Sequence, residues 1–154
     1  MKKIKLYLDT SVIGGCFDKE FEQYSNRLFD NIRKGGLIAV VSDITAYEIS
    51  KAPSFVKEVI LSIPPEYIET VETTDEMRKL AERYMESKIV SEKYELDALH
   101  IAIATVIKID VLVSWNFRHI VNFQKIHQFN AVNLKEGYPV LDIRTPMEVI
   151  GDEE

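Results

Sequence analysis

The sequence predicts an α/β protein, a three-layer α/β/α sandwich with a mostly parallel central sheet, and three observations carry that prediction. Short β-rich runs alternate with longer segments of helical periodicity. "LIAVVS" at 37–42 is apolar up to its last residue and "VLVSW" at 111–115 nearly so, as befits strands covered on both faces. The segment 98–107 is apolar almost all round, which marks a helix packed inside the protein rather than on it.

Taken in order, "KIKLYL" at 3–8 reads as the first strand. "FEQYSNRLFDNIRK" carries Phe21, Leu28, Phe29 and Ile32 on one helical stripe and closes at Gly35 and Gly36. After the strand at 37–42, "DITAYEISKA" is a short helix capped by Ser42 or Asp43 and broken by Pro53. "SFVKEVILSI" resumes helix, "PPEY" stops it, and "IETVE" is a short strand. "TTDEMRKLAERYMES" opens with the spacing of a capping box, Thr73 with Glu76. "SEKYELDALHIAIATVIK" is the longest helix, with His100 the polar exception in its apolar stretch. "VLVSW" is the next strand, a helical turn follows, and "VLDI" at 140–143 is the last strand.

The 154 residues fit one domain, placed at 1–150 with an acidic tail at 151–154. No apolar run approaches a membrane span or the long core of a signal peptide. One cysteine, Cys16, excludes an internal disulfide framework and points to a reducing, cytoplasmic setting. One cysteine and three histidines also make a zinc site of the usual ligand count a poor fit. The net charge of −6 argues against a general nucleic-acid coat, though not against an enzyme that works through clustered carboxylates and metal.

Residues suited to such chemistry recur at corresponding points of successive α/β units. Asp9 ends the first strand in "YLDTSVIGG", Glu48 follows the second in "TAYEIS", and Asp97 sits on the entrance turn of the apolar helix, with His100 one turn on the same face. Asn116 stands just after the strand at 111–115. Singly, each has an ordinary structural role: a turn cap, a surface glutamate, a charge at a helix N-terminus, a hydrogen-bonded core histidine. Together they form an oxygen-rich cluster that suits Mg²⁺ or Mn²⁺, and carboxylates so gathered repel one another without a cation.

"YLDTSVI", "TAYEIS", "ELDALHIAIA" and "VLVSWNFRHIVN" together resemble the PIN domain, the metal-dependent ribonuclease fold of VapC-type toxins, over nearly the whole chain to "IRTPMEVI". The resemblance implies hydrolysis of RNA phosphodiester bonds with one or two Mg²⁺ or Mn²⁺ ions held by Asp9 and Asp97, and by Glu48 directly or through water. It implies that Ser11 supports Asp9, that Arg118 and His119 contact phosphates on the rim, and that a cognate antitoxin and a homodimer exist. Asn116 falls where many members carry a fourth acid. Its amide could bind the metal through oxygen, orient a water, or donate to phosphate. Trp115 reads as core rather than as a base-stacking platform, and neither His127 nor Cys16 is given a functional role.

Three other readings compete. A haloacid-dehalogenase-type phosphatase wants an aspartate where Ser11 stands. A phosphorylated receiver domain wants adjacent acids on the first strand and a later lysine. A PIN fold kept for binding RNA or a protein would tolerate Asn116 best.

Overall fold

A computed structural model describes residues 2–151. Five strands form one sheet, all parallel: β1 (Lys5–Leu8), β2 (Ile38–Ser42), β3 (Ile68–Val71), β4 (Val111–Val113) and β5 (Ile143–Arg144), in the order β3-β2-β1-β4-β5. Tyr7 pairs with Val40 on one side and Leu112 on the other, so β1 lies at the centre. The chain winds outward from β1 through β2 to β3, then returns across the sheet to place β4 on the opposite flank of β1. That reversal is a topological switch point, and the crevice beyond the carboxyl ends of β1 and β4 is where such sheets bind ligands.

Among the described residues eight α-helices cover the two faces: α1 (Thr10–Gly14), α2 (Glu22–Arg33), α3 (Asp43–Ser50), α4 (Ser54–Leu61), α5 (Asp75–Glu86), α6 (Glu95–Val106), α7 (Phe123–Lys135) and α8 (Pro146–Ile150). Period-two alternation of the strands sends Leu6, Leu8, Ala39, Val41 and Val113 into a core with Val12, Leu28, Phe29 and Val56. Tyr7, Val40, Leu112 and Ile143 face the other way, against Leu80, Tyr84, Ile101, Ile103 and Phe129. Every residue of α6 from Ala98 to Thr105 is buried, His100 among them. The helix therefore contributes a polar side chain to the interior, a costly placement unless partners are provided.

Some boundaries differ from those expected of the sequence. The cap of α5 is Thr74, which accepts from the Met77 N–H, and not Thr73 paired with Glu76. Thr73 is taken instead by Asp43 at the start of α3, whose Oδ1 accepts the Thr73 N–H at 3.0 Å and its hydroxyl at 2.6 Å. The last strand starts three residues later and ends one later than "VLDI" suggested, because the Asp142 and Arg144 carbonyls are the ones that pair with β4. Pairing of β1 begins at Lys5 rather than residue 3. The acidic tail at 151–154 lies outside the described residues beyond Gly151. Gly35 and Gly36 close α2 as the sequence implies. Gly35 has φ +81°, and the N–H groups of Gly36 and Gly35 return to the carbonyls of Asn31 and Ile32 in a Schellman arrangement.

Candidate active site

Asp9 follows β1 directly, in extended conformation, before α1 turns away. It is 4% exposed, and burial pushes its carboxyl above the ordinary aspartate value. Two hydroxyls work against that rise: Ser11 donates to Oδ1 at 2.6 Å and Ser114, from the end of β4, to Oδ2 at 2.7 Å. Each hydroxyl is oriented in turn by backbone, since Ser11 Oγ accepts the Trp115 N–H and Ser114 Oγ the Asn116 N–H, both at 2.9 Å. Adjacent parallel strands thus hold one carboxylate between them.

Glu48 reaches in from α3. Burial raises its carboxyl, but the bond from His100, that ring's charge and the Thr10 hydroxyl outweigh it and hold the group below the ordinary glutamate value. His100 Nε2 lies 2.6 Å from Oε1, and Thr10 donates to the same oxygen at 2.8 Å. With Oε1 occupied twice, Oε2 is the oxygen left for a cation. His100 Nδ1 meets the Tyr7 hydroxyl at 2.7 Å, and that hydroxyl meets Ser42 Oγ at 2.7 Å.

Asp97, one turn before His100 on α6, is also raised by burial; His100, the Asn116 amide and Lys125 oppose the rise, and Glu48 adds to it. Asn116 has a settled orientation. Its Oδ1 accepts the His119 N–H at 2.9 Å, a group that only donates, so the NH₂ end is the one free to offset the charge on Asp97. The loop is wound tightly behind it, with the Asn116 carbonyl accepting from Ile120 and Val121.

The sequence-derived set therefore divides. Asp9, Glu48, Asp97, His100, Ser11 and Asn116 form one cluster at the switch point. Arg118 lies over the Tyr94 ring at 5.4 Å. His119 is buried rather than on the rim, at 7% exposure, its ring tilted 35° against that of Tyr94 with centroids 3.9 Å apart and its Nδ1 3.2 Å from Lys125 Nζ. Trp115 is core, stacked on Phe21 at 4.3 Å and donating to Ser25. Tyr7, Thr10, Ser114 and Lys125 belong to the cluster and were not singled out from sequence. Ser114 alone left a trace there, as a polar residue ending an otherwise apolar strand.

Carboxylate oxygen is the donor type that hard divalent ions take, and Asp9 and Glu48 retain lone pairs beyond those their hydroxyl and imidazole partners use. Among the described residues, however, no three His, Cys, Asp or Glu side chains converge closely enough to grip an ion together. The donor set fits an ion of the Mg²⁺ kind, which is held by one or two carboxylates and leaves its other positions to water and phosphate. Cation is also not the only relief from mutual repulsion, because His100 lowers both aspartates and Lys125 lowers Asp97.

Fold and cluster together define the class: a PIN-like α/β/α sandwich with carboxylates at the switch point of its parallel sheet. No family model matches the chain, and no curated protein does. Among solved structures, the fold is similar to that of a chain in the crystal structure of VapBC2 from Rickettsia felis bound to a DNA fragment from their promoter. The TM-score is 0.55 at 17% identity, over 92% of this chain and 98% of that one. No helix among the described residues is long and apolar enough to cross a membrane.

Proposed function

We propose that this protein is a Mg²⁺- or Mn²⁺-dependent endoribonuclease that hydrolyses RNA phosphodiester bonds in the cytoplasm, as the toxin of a VapBC-type pair. The observation that carries the reading is that Asp9 and Asp97, from separate elements, each lie within electrostatic reach of Glu48 near the carboxyl ends of β1 and β4, with Asp9 and Glu48 held by their own hydrogen-bond donors. Asp9 and Asp97 are the main candidates to hold the ion, with Glu48 through Oε2 or a water. The ion supplies a Lewis acid that lowers the pKa of water and offsets charge on the phosphate. The side chains supply position and charge: Ser11 and Ser114 aim Asp9, Thr10 and His100 aim Glu48, and His100, the Asn116 amide and Lys125 offset the charge on Asp97. No side-chain nucleophile is needed. Support for a partner comes from the neighbour's being a VapBC2 complex; a cognate antitoxin placing a basic group among the carboxylates, and a homodimer, complete the proposal.

The test is cleavage of total RNA with added Mn²⁺. Activity is expected to vanish with excess EDTA and in Asp9→Asn or Asp97→Asn while the fold is kept. RNA cut equally well after either treatment overturns the reading. Two observations favour an alternative, a PIN-like module that binds RNA or protein without cutting it: the Asn116 oxygen is engaged by backbone, and among the described residues the carboxylates do not already form a closed metal cage. Calorimetric titration with Mn²⁺ separates the two, since a pure binding module takes up no ion at the cluster.

A further inference from the structure

We propose that Tyr7 is a positioning residue for the candidate metal site, acting through His100 to fix the Glu48 carboxylate; the inference rests on the metal-nuclease reading above. The contacts close on themselves. Ser42 ends β2 and caps α3, its Oγ accepting the Thr45 N–H. The same Oγ meets the Tyr7 hydroxyl, Tyr7 meets His100, and His100 meets Glu48, which α3 itself carries. The helix bearing the carboxylate is therefore tied at its N-cap and at its working side chain by one chain of bonds through β1 and α6. Asp97 also stands on α6, so the circuit sets the separation of Glu48 from Asp97 as well.

Its members are interior groups: Tyr7 and Ser42 are inaccessible, and His100 is 1% exposed. A phenylalanine would fill the apolar space of Tyr7 without the desolvation cost of a phenol, and burial of that phenol raises its pKa, keeping it neutral. The hydroxyl can donate or accept, so it satisfies Nδ1 whichever hydrogens the ring carries, while Nε2 faces a carboxylate that only accepts. Bonds at opposite corners of the imidazole stop it rotating, and the Tyr7 ring edge packs against it with centroids 5.6 Å apart at 61°. Groups that hydrogen-bond a metal ligand directly, as His100 does Glu48, typically change metal affinity by about 10–100-fold when removed, and Tyr7, one bond further out, is placed at the low end of that range.

The experiment is calorimetric titration of the full chain with Mn²⁺, without RNA. Tyr7→Phe is expected to weaken Mn²⁺ binding about tenfold. Tyr84→Phe is the matched control, because Tyr84 is an equally buried phenol bonded to Asn133 and Thr105 on the far side of the same core. It is expected to lose comparable thermal stability and to bind Mn²⁺ unchanged. In a His100→Gln background, Tyr7→Phe should weaken binding no further, since its route to Glu48 is already cut. Undiminished binding in Tyr7→Phe, or equal losses in both tyrosine variants, overturns the inference. Should Tyr7→Phe fail to fold, Ser42→Gly unties the hydroxyl at its other end at little cost to the cap, and the same criteria apply. A wild-type chain that takes up no Mn²⁺ overturns the metal reading itself; a wild-type site unmoved by Tyr7→Phe overturns only the role of Tyr7.

Discussion

Asn116 and His119 are joined by a 2.9 Å bond in which the side-chain oxygen of the first accepts the backbone N–H of the second. This contact decides what the amide can do. Its oxygen holds the loop that follows β4, which leaves only its NH₂ end to help offset the charge on Asp97.

Asn116→Asp keeps an acceptor for His119 but replaces that donor with a second negative oxygen beside Asp97. Without metal the variant is expected to lose about 1 kcal/mol, or roughly 2–4 °C in thermal midpoint. With Mn²⁺ it should bind the ion about tenfold more tightly than wild type, as an added ligand charge does. Thermal scans with EDTA and with Mn²⁺ measure both effects, and a variant destabilised equally in both conditions counts against a cation between positions 97 and 116.

The raised carboxyls of Asp9 and Asp97 give stability a pH dependence of definite sign. Between their ordinary value of 3.8 and the higher folded one, the folded chain holds more protons than the unfolded chain. Their contribution therefore falls as pH rises through that window. Glu48 acts oppositely: held below its ordinary 4.5, it stabilises above that value and loses this as pH falls through the lowered one. Scans from about pH 4 to 8 in EDTA are expected to show the midpoint declining on the alkaline side of the carboxylate range, two buried groups outweighing one. Saturating Mn²⁺, which needs the ionised forms, should flatten the decline. Identical profiles with and without the ion would contradict it.

Two neighbouring glycines make a matched pair. A methyl on Gly15 would lie 2.6 Å from Ser25 Oγ and 2.8 Å from Trp115 Nε1, inside the bond these two share. Gly15→Ala should cost about 1–3 kcal/mol and alter the emission of Trp115, the chain's single tryptophan. Gly14 has helical φ and nothing within 4 Å of an added Cβ, so Gly14→Ala should gain about 0.5–1 kcal/mol with emission unchanged. Equal effects at the two positions would refute the packing argument.

The sequence by itself determined the layered α/β class, the buried apolar strands, the enclosed helix around His100 and the positions of Asp9, Glu48, Asp97 and Asn116 on the chain. Those follow from periodicity and from polar residues interrupting apolar runs, which are local properties. It did not reveal α7, because among its residues only Phe129 and Asn133 are buried and the amphipathic stripe is faint; the Asn122 cap was the available sign. Nor did it separate Thr73 from Thr74 as a cap, a choice made by Asp43 thirty residues away. Only the tertiary structure brought Tyr7 to His100 and Ser114 to Asp9, across 93 and 105 residues of chain. A tyrosine in a buried strand reads as core until the partner of its hydroxyl is known. Likewise the direction of the Asn116 amide was fixed by a backbone N–H, a group that every residue but proline presents and that no pattern of side chains discloses.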